Sequence, residues 1–391
     1  MLEAARRDNN ERRFWTDLHE GLGFGSYMNG DSWSRSQVTI RPQDFSIREL
    51  FEEFVPHGRE LVRSFSPRKH GRSEVSLLEA NAVDTSAFSN ISGQIFFAST
   101  LDAFNSPEFI ADRLTRTVQT DMQEEEKIPG ISLPGDVAEK IGENQPYPEV
   151  GLSEEWVMTP EKIKEGFILP ISKEAIFGDR TGLLLDRAST GARMMAINKE
   201  KRVLDEVLGV NTSYRRNGGA AQAAYGNTHT NGDFDNLAGA ALQDYSDIEA
   251  ALLLFDAITD PGTGELISIG ATQLVVPTAL LFTARSIVNA TEVRNTTNTN
   301  TQTLSPNPLA PTPMTVESNS YVKDRSSSAT AWWIGDFKRA FTYRQNWPIT
   351  TEEERETGPR AFSHDTIARF KVSEKGVPAT EEPRYVVQGN S

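Results

Sequence analysis

The chain has 391 residues, 37% of them hydrophobic, with a formal charge of −15 and an isoelectric point near 5.0. That is enough apolar material for one large domain or two to three smaller ones, and the acidity argues against a protein that simply coats nucleic acid. Cysteine is absent, which excludes disulfides, thiolate nucleophiles and cysteine-bound zinc and fits a reducing compartment.

The N-terminal "MLEAARRDNNERRFWTDLHE" has no apolar signal region. No run of about 18 apolar residues occurs anywhere, so no membrane span is expected and the protein is expected to be soluble and intracellular when made. Residues 1–45 are polar, with Gly21, Gly23, Gly25 and Gly30 close together, and read as a weakly structured lead-in. In "SIRELFEEF", Ser46 and Glu49 stand at capping-box spacing and predict a helix start. "SPRKHGR", 66–72, is a basic linker, and "VDTSAFSNISGQIFFAST" alternates loosely, as extended chain does. In "SPEFIADRLTRTV", Ser106 as N-cap and Pro107 at the first position predict a helix with Phe109, Ile110 and Leu114 on its apolar stripe.

Residues 121–165 carry 12 acidic side chains against four lysines, so about half of the chain's excess charge lies in this short segment. Its prolines and glycines count against helix. Two extended limbs, near 128–141 and 154–171, predict a long hairpin with Tyr147, Trp156 and Val157 as anchors. A two-stranded ribbon buries too little to be stable alone, so its burial is expected to come from another molecule. Pro170 within "FILPIS" marks an edge strand, and Gly178-Asp179 breaks the chain. From Thr181 to about Leu208 the sequence predicts a helix roughly 40 Å long. Its apolar stripe of Leu184, Ala188, Ala192 and Met195 resumes at Val203, Leu204 and Val207, and Gly209 is the C-cap. The charged "NKEKR" between the two blocks is expected to be exposed or paired across an interface.

Residues 211–245 read as loop. "SDIEAALLLFDAITD" predicts a helix capped by Ser246 and Glu249 and ending near Thr259. "ATQLVVP" is a buried strand over 272–276, with a helix opened by Pro277. "NATEVRNTTNTNTQTLSPNPLAPTPM" reads as low-complexity loop. "TVESNSYV", "AWWIGDF", "RAFTYRQNWPITT", "ARFKVSEK" and "EPRYVV" are strand-like, and "TTEEERETG" over 350–358 reads as a solvated turn or helix start. The parts make a mixed α+β protein.

No phosphate-cradling G-x-x-x-x-G-K-[ST], nucleophile elbow or H-E-x-x-H occurs, and "GLGFGS", 21–26, follows no strand. His19, His57, His70, His229 and His364 have no metal spacing. His364-Asp365 are adjacent on a strand and face opposite ways. No catalytic, cofactor or metal residue is assigned.

The run "VDTSAFSNISGQIFFASTLDAFNSPEFIADRL", followed by "IPGISLPGDVAEKIGENQPYPEVGLSEEWVMTPEKIKEGFILPISKEAIFGDRTGLLLDRASTGARMMAINKEKRVLDEVLG", resembles the major capsid proteins of tailed bacteriophages, which have the HK-ninety-seven-like shell fold. The resemblance covers about residues 80–391 and lies in the order of elements rather than in one motif. It implies an N-terminal segment over 1–79, an N-terminal arm with a short helix over 80–121 and an extended hairpin loop over 122–172. A peripheral domain with a long spine helix over 173–210, an axial domain over 211–330 and return strands of the peripheral domain over 331–391 would follow. It further implies a structural subunit, not an enzyme, that self-assembles into hexamers and pentamers of an icosahedral virion head around packaged double-stranded DNA. That DNA is held without sequence-specific binding and without a membrane. Assembly would take place in the host bacterial cytoplasm, with portal and scaffolding or protease proteins as partners. A cellular nanocompartment shell enclosing enzyme cargo is the alternative. The inter-subunit contact candidates are Tyr147, Glu154, Glu155 and Trp156 on the acidic hairpin and Arg68, Lys69 and Arg72 on the basic linker, as opposite ends of one contact. Some members of the family weld neighbours through a lysine–asparagine isopeptide bond, for which Lys127, Lys140, Lys162 and Lys164 are the candidate lysines.

Overall fold

The computed structural model describes residues 48, 52, 59, 100–130 without 102 and 107, 155–172, 183–227, 234–260, 264–309 without 265, 299, 300 and 308, 314–355, and 366–389. The glycine cluster at 21–26, the basic linker 66–72, most of "VDTSAFSNISGQIFFAST", the segment 131–154, the break at Gly178-Asp179 and all five histidines lie outside these residues. Arg48 and Glu52 are helical and form an ion pair of 2.8 Å one turn apart, in line with the helix expected there.

In chain order, α1 (Ala111–Leu114) and β1 (Arg116–Gln119) precede β2 (Lys127–Gly130), β3 (Glu155–Met158) and β4 (Ile163–Ser172). The long helix α2 (Leu183–Val207) leads to β5 (Arg215–Arg216), β6 (Leu237–Ala238) and α3 (Tyr245–Asp256). Then come β7 (Gln273–Val275), α4 (Leu281–Asn289), β8 (Glu292–Asn298), β9 (Thr301–Pro306), β10 (Thr315–Glu317) and α5 (Ser320–Ser326). The chain finishes with β11 (Trp332–Gly335), α6 (Phe337–Ala340), β12 (Phe341–Arg355), β13 (Thr366–Thr380) and β14 (Val386–Gly389). The mixed α+β class is as expected. Among the described residues no helix is long and apolar enough to cross a membrane.

The chain divides into two compact units. One takes residues up to 106 with 165–196 and 348–374; the other takes 107–164, 197–347 and 375–391. In the first, β13 lies between β12 and β4, and β4 is an edge strand as Pro170 requires. Thr350 donates to the carbonyl of Ser373 at 3.2 Å across the β12–β13 pair, and Lys371 pairs with Glu352. Ala188, Ala192, Met195 and Ala196 of α2 are buried at helical spacing.

The second unit is built on a five-stranded sheet of order β10-β7-β11-β14-β6. Successive strand residues point to opposite faces, and both faces are covered. Val275, Trp333 and Val386 join Ile110, Leu114, Val203, Leu204, Val207, Phe337 and Phe341 in one apolar cluster. Leu274, Val276, Trp332, Ile334 and Val387 join Ile248, Ala251 and Phe255 of α3 and Ala284 and Ile287 of α4 in the other. This is why "WWI" and "LVV" are uninterrupted apolar runs rather than alternating ones. The expected return strands over 331–391 do not stay together: β11 pairs antiparallel with β7 and with β14, so both belong to this sheet.

Other expectations are corrected by the way backbone groups find partners. The helix predicted from Ser106 and Pro107 starts instead at Ala111, and its cap is remote. The Glu200 carboxylate on α2 accepts from Ile110 N at 3.0 Å and from Ala111 N at 2.8 Å. The charged "NKEKR" stretch is therefore used inside the chain: Glu200 also accepts from Asn319, Lys199 pairs with Asp112 at 2.8 Å, and Arg202 donates to the carbonyl of Gly376. The cap of α3 is Asp244 with Asp247, two residues before the expected Ser246 and Glu249. Glu292–Asn298 and Thr301–Pro306 form a ribbon, β8 against β9, where loop was expected, because a threonine-rich run favours extended chain. Thr350–Arg355 are strand, continuing β12, and not a turn. "TVESNSYV" splits into β10 and α5, the latter capped by Asn319. α2 does end where expected. Gly209 at φ +71° lets its N–H reach Glu206 O at 3.1 Å while Val210 N reaches Asp205 O at 2.9 Å. This is the left-handed helix stop that glycine suits best.

Candidate functional site

β2 ends at Gly130 and β3 begins at Glu155, on either side of the part of the acidic segment that lies outside the described residues, so these two strands are taken as the mount of the expected hairpin. They pair antiparallel, Lys127 opposite Met158 and Gly130 opposite Glu155. A third strand, β5, completes the sheet, with Val157 opposite Arg216 and Met158 opposite Arg215. β5 exists because Asn217-Gly218 follows it: Asn217 at φ +51° and Gly218 at φ +74° turn the chain through the left-handed region, as an Asn-Gly pair does readily. Trp156 N donates to Asn217 Oδ1 at 3.0 Å, and Asn217 N returns a bond to Trp156 O at 2.9 Å. A Cβ on Gly218 would lie 3.5 Å from the Trp156 ring, so ring and turn are in contact. The Lys127 ammonium stands 4.4 Å from the ring centroid.

Charge is balanced at this mount. Arg216, almost fully buried, pairs with Glu155. Burial and the nearby Arg384 hold the Arg216 guanidinium below its ordinary pKa. Arg384 pairs with Glu382 at 2.6 Å and with the buried Asp260 at 3.3 Å. Burial works against the Arg384 charge, but the hydrogen bonds and charge of Glu382 outweigh it and raise its pKa. At the start of β2, Lys162 donates to Glu124 O at 2.8 Å and to Glu126 at 3.3 Å. Glu126 also faces Arg344 at 3.7 Å, and Glu381 binds Arg116 at 3.1 Å and Thr342 Oγ1 at 2.7 Å.

Of the contact candidates, Glu155 and Trp156 come together here, Glu155 in an ion pair within the chain and Trp156 half-buried on its turn. Tyr147, Glu154, Arg68, Lys69 and Arg72 lie outside the described residues. Among the candidate lysines, Lys162 has a side chain with no exposed surface, Lys127 is stacked on Trp156, Lys164 stands 5.6 Å from the Trp347 ring, and Lys140 lies outside the described residues. Arg216, Asn217 and Gly218 were missed by an expectation of plain loop over 211–245, although Asn-Gly was the signal that marks them. Among the described residues no group of histidine and carboxylate side chains is placed to hold a metal ion.

The family model described as phage capsid protein matches residues 158–388. No curated protein matches the chain. Among solved structures, the chain is similar to a virus-like particle from Pyrococcus furiosus, at 12% identity and a TM-score of 0.41, over 75% of this chain and 96% of that one. It is similar to a chain of Gordonia phage Cozz at 13% identity and a TM-score of 0.43, over 72% and 86% of the two chains. A capsid chain of a native GTA particle matches at 11% identity and a TM-score of 0.43, over 73% and 90%.

Proposed function

The chain belongs to the phage capsid protein family, and from that premise we propose that it is the repeating subunit of an icosahedral head of the HK-ninety-seven-like kind. Copies assemble into hexamers and pentamers that close around double-stranded DNA. The family match over 158–388 carries this reading. The mount at β2, β3 and β5 supplies the means: its charges are paired within the chain, so the acidic segment between Gly130 and Glu155 is left to engage a neighbouring copy, with the basic linker around Arg68, Lys69 and Arg72 as its counterpart. Residues 122–172 are the extended loop, α2 is the spine of the peripheral domain, and the five-stranded sheet with its two helical layers is the axial domain, which takes in β11 and β14. Each contact need be only modest, because closure makes many contacts mutually supportive. Portal and scaffolding or protease proteins complete the assembly, in the host cytoplasm. The role is structural.

The test is electron microscopy of the recombinant chain beside size-exclusion chromatography. Closed shells or rings of five and six subunits are expected, and nuclease-protected DNA in particles from infected cells. A monomer at every salt and protein concentration, with co-expressed scaffold included, overturns the proposal.

A further inference from the structure

We propose that the joint of Glu155, Trp156, Arg216 and Asn217 is an aiming device: it fixes the direction in which the chain leaves at Gly130 and returns at Glu155, and so fixes the geometry of the shell. This rests on the shell-subunit reading above. The four are positioning residues; they act through the loop they aim.

The argument starts from how little backbone holds the mount. β2 and β3 are four residues each and β5 is two. A ribbon of that size is marginal and free to pivot unless something outside the ladder fixes it. Four side-chain devices do so. Asn217 exchanges two hydrogen bonds with the backbone of Trp156, which ties β3 to the turn. The Trp156 ring is held between that turn and the Lys127 ammonium on β2, so both limbs share one anchor. Arg216 takes Glu155, the first residue of β3, into a part-buried ion pair. Arg384, held by Glu382 and the buried Asp260, acts with both of them on the Arg216 charge.

The choice of chemistry is informative. A buried ion pair contributes little net stability over an apolar pair of similar volume, whereas losing one partner is costly. Ion pairs also demand fixed directions, which apolar contacts do not. The facing ends of β2 and β3, Gly130 opposite Glu155, set where the 24 residues between them start and stop. The joint is therefore built from the interaction that specifies orientation, in a place where orientation matters more than stability.

The experiment compares shells made by the full-length chain carrying Glu155→Leu with Arg216→Met against wild type. The expected result is a melting temperature within about 3 °C of wild type, together with at least a tenfold loss of closed shells or a spread of particle sizes in micrographs. The control is Asp205→Leu with Arg325→Met, which removes an ion pair between α2 and α5 that shares no residue with the mount and is expected to leave shells uniform. Uniform wild-type shells from the Glu155→Leu, Arg216→Met chain overturn the proposal. If that chain does not fold, Asn217→Gly decides: it keeps the positive φ while removing the Oδ1 acceptor, and normal shells from it likewise overturn the proposal. A wild-type chain that never forms shells is a different failure, that of the shell-subunit reading itself.

Discussion

The five-stranded sheet and the three-stranded mount belong to the same compact unit and are stabilised by opposite means. The sheet buries Trp332, Trp333, Ile334, Leu274 and Val387 completely, with apolar residues on both faces. The mount holds a half-buried tryptophan, a lysine stacked on it and the Arg216–Glu155 ion pair, with the Arg384 pairs to Glu382 and Asp260 near enough to act on Arg216. Burying apolar area yields stability with little demand on direction; buried ion pairs yield direction with little net stability. The molecule separates the two tasks, and each prediction below strikes one side of that division.

The largest effect is expected in the sheet. Trp333→Ala removes a fully buried ring between α2 and the sheet and is expected to cost about 3–5 kcal/mol in chemical denaturation. A loss under about 1 kcal/mol would mean that the sheet does not carry the stability of the unit. Next is Glu200→Ala, which strands the N–H groups of Ile110 and Ala111 and the amide of Asn319. The expected loss is about 2–3 kcal/mol. Glu200→Gln keeps one acceptor oxygen and should lose less.

α2 also carries a pH signature. Burial raises the pKa of both Glu200 and Glu206 above the ordinary glutamate value of 4.5. In Glu206 the burial outweighs hydrogen bonds from Ser213, Thr380 and Asn211. A raised folded-state pKa means that the native chain binds more protons than the unfolded one between 4.5 and the raised value. Stability contributed by these two groups is therefore present at and below pH 4.5 and is lost as pH rises through that window. Glu206→Gln, which mimics the protonated form, is expected to leave the melting temperature at neutral pH unchanged or higher and to flatten its fall with rising pH. A steeper fall would contradict the burial argument.

How legible all this was in the sequence follows the same division. Apolar periodicity is written in consecutive letters, so the stripe of α2, its stop at Gly209, the buried strand before Pro277 and the edge position of β4 could be read directly. The cap of α1 could not, because its acceptor, Glu200, is 90 residues away. The charges of "NKEKR" read as exposed or paired across an interface for the same reason: their partners Asp112, Asn319 and Gly376 are distant in sequence. At the mount, Trp156 reads in the sequence as an anchor toward another molecule, whereas the contacts described here are with Asn217, Gly218 and Lys127 of its own chain; Asn217-Gly218 is a local turn signal masked by surroundings rich in glycine, asparagine and alanine. The link from Arg216 to Glu155 spans 61 positions and has no local trace. The β8–β9 ribbon was obscured by low complexity, although threonine is a strand former.

The smallest expected effect is the sharpest test of the division. Lys127→Met keeps most of the aliphatic stem on Trp156 and removes only the ammonium 4.4 Å from the ring. At a half-exposed site such a contact contributes about 0.5–1 kcal/mol, so denaturation should shift by no more than that. If the mount sets direction rather than stability, the effect belongs in local motion: backbone amides of Trp156 and Val157 should exchange with deuterium faster than in wild type, while those of Trp333 and Ile334 keep their protection. Equal acceleration in both places would show that mount and sheet unfold as one body, and the separation of tasks would fail.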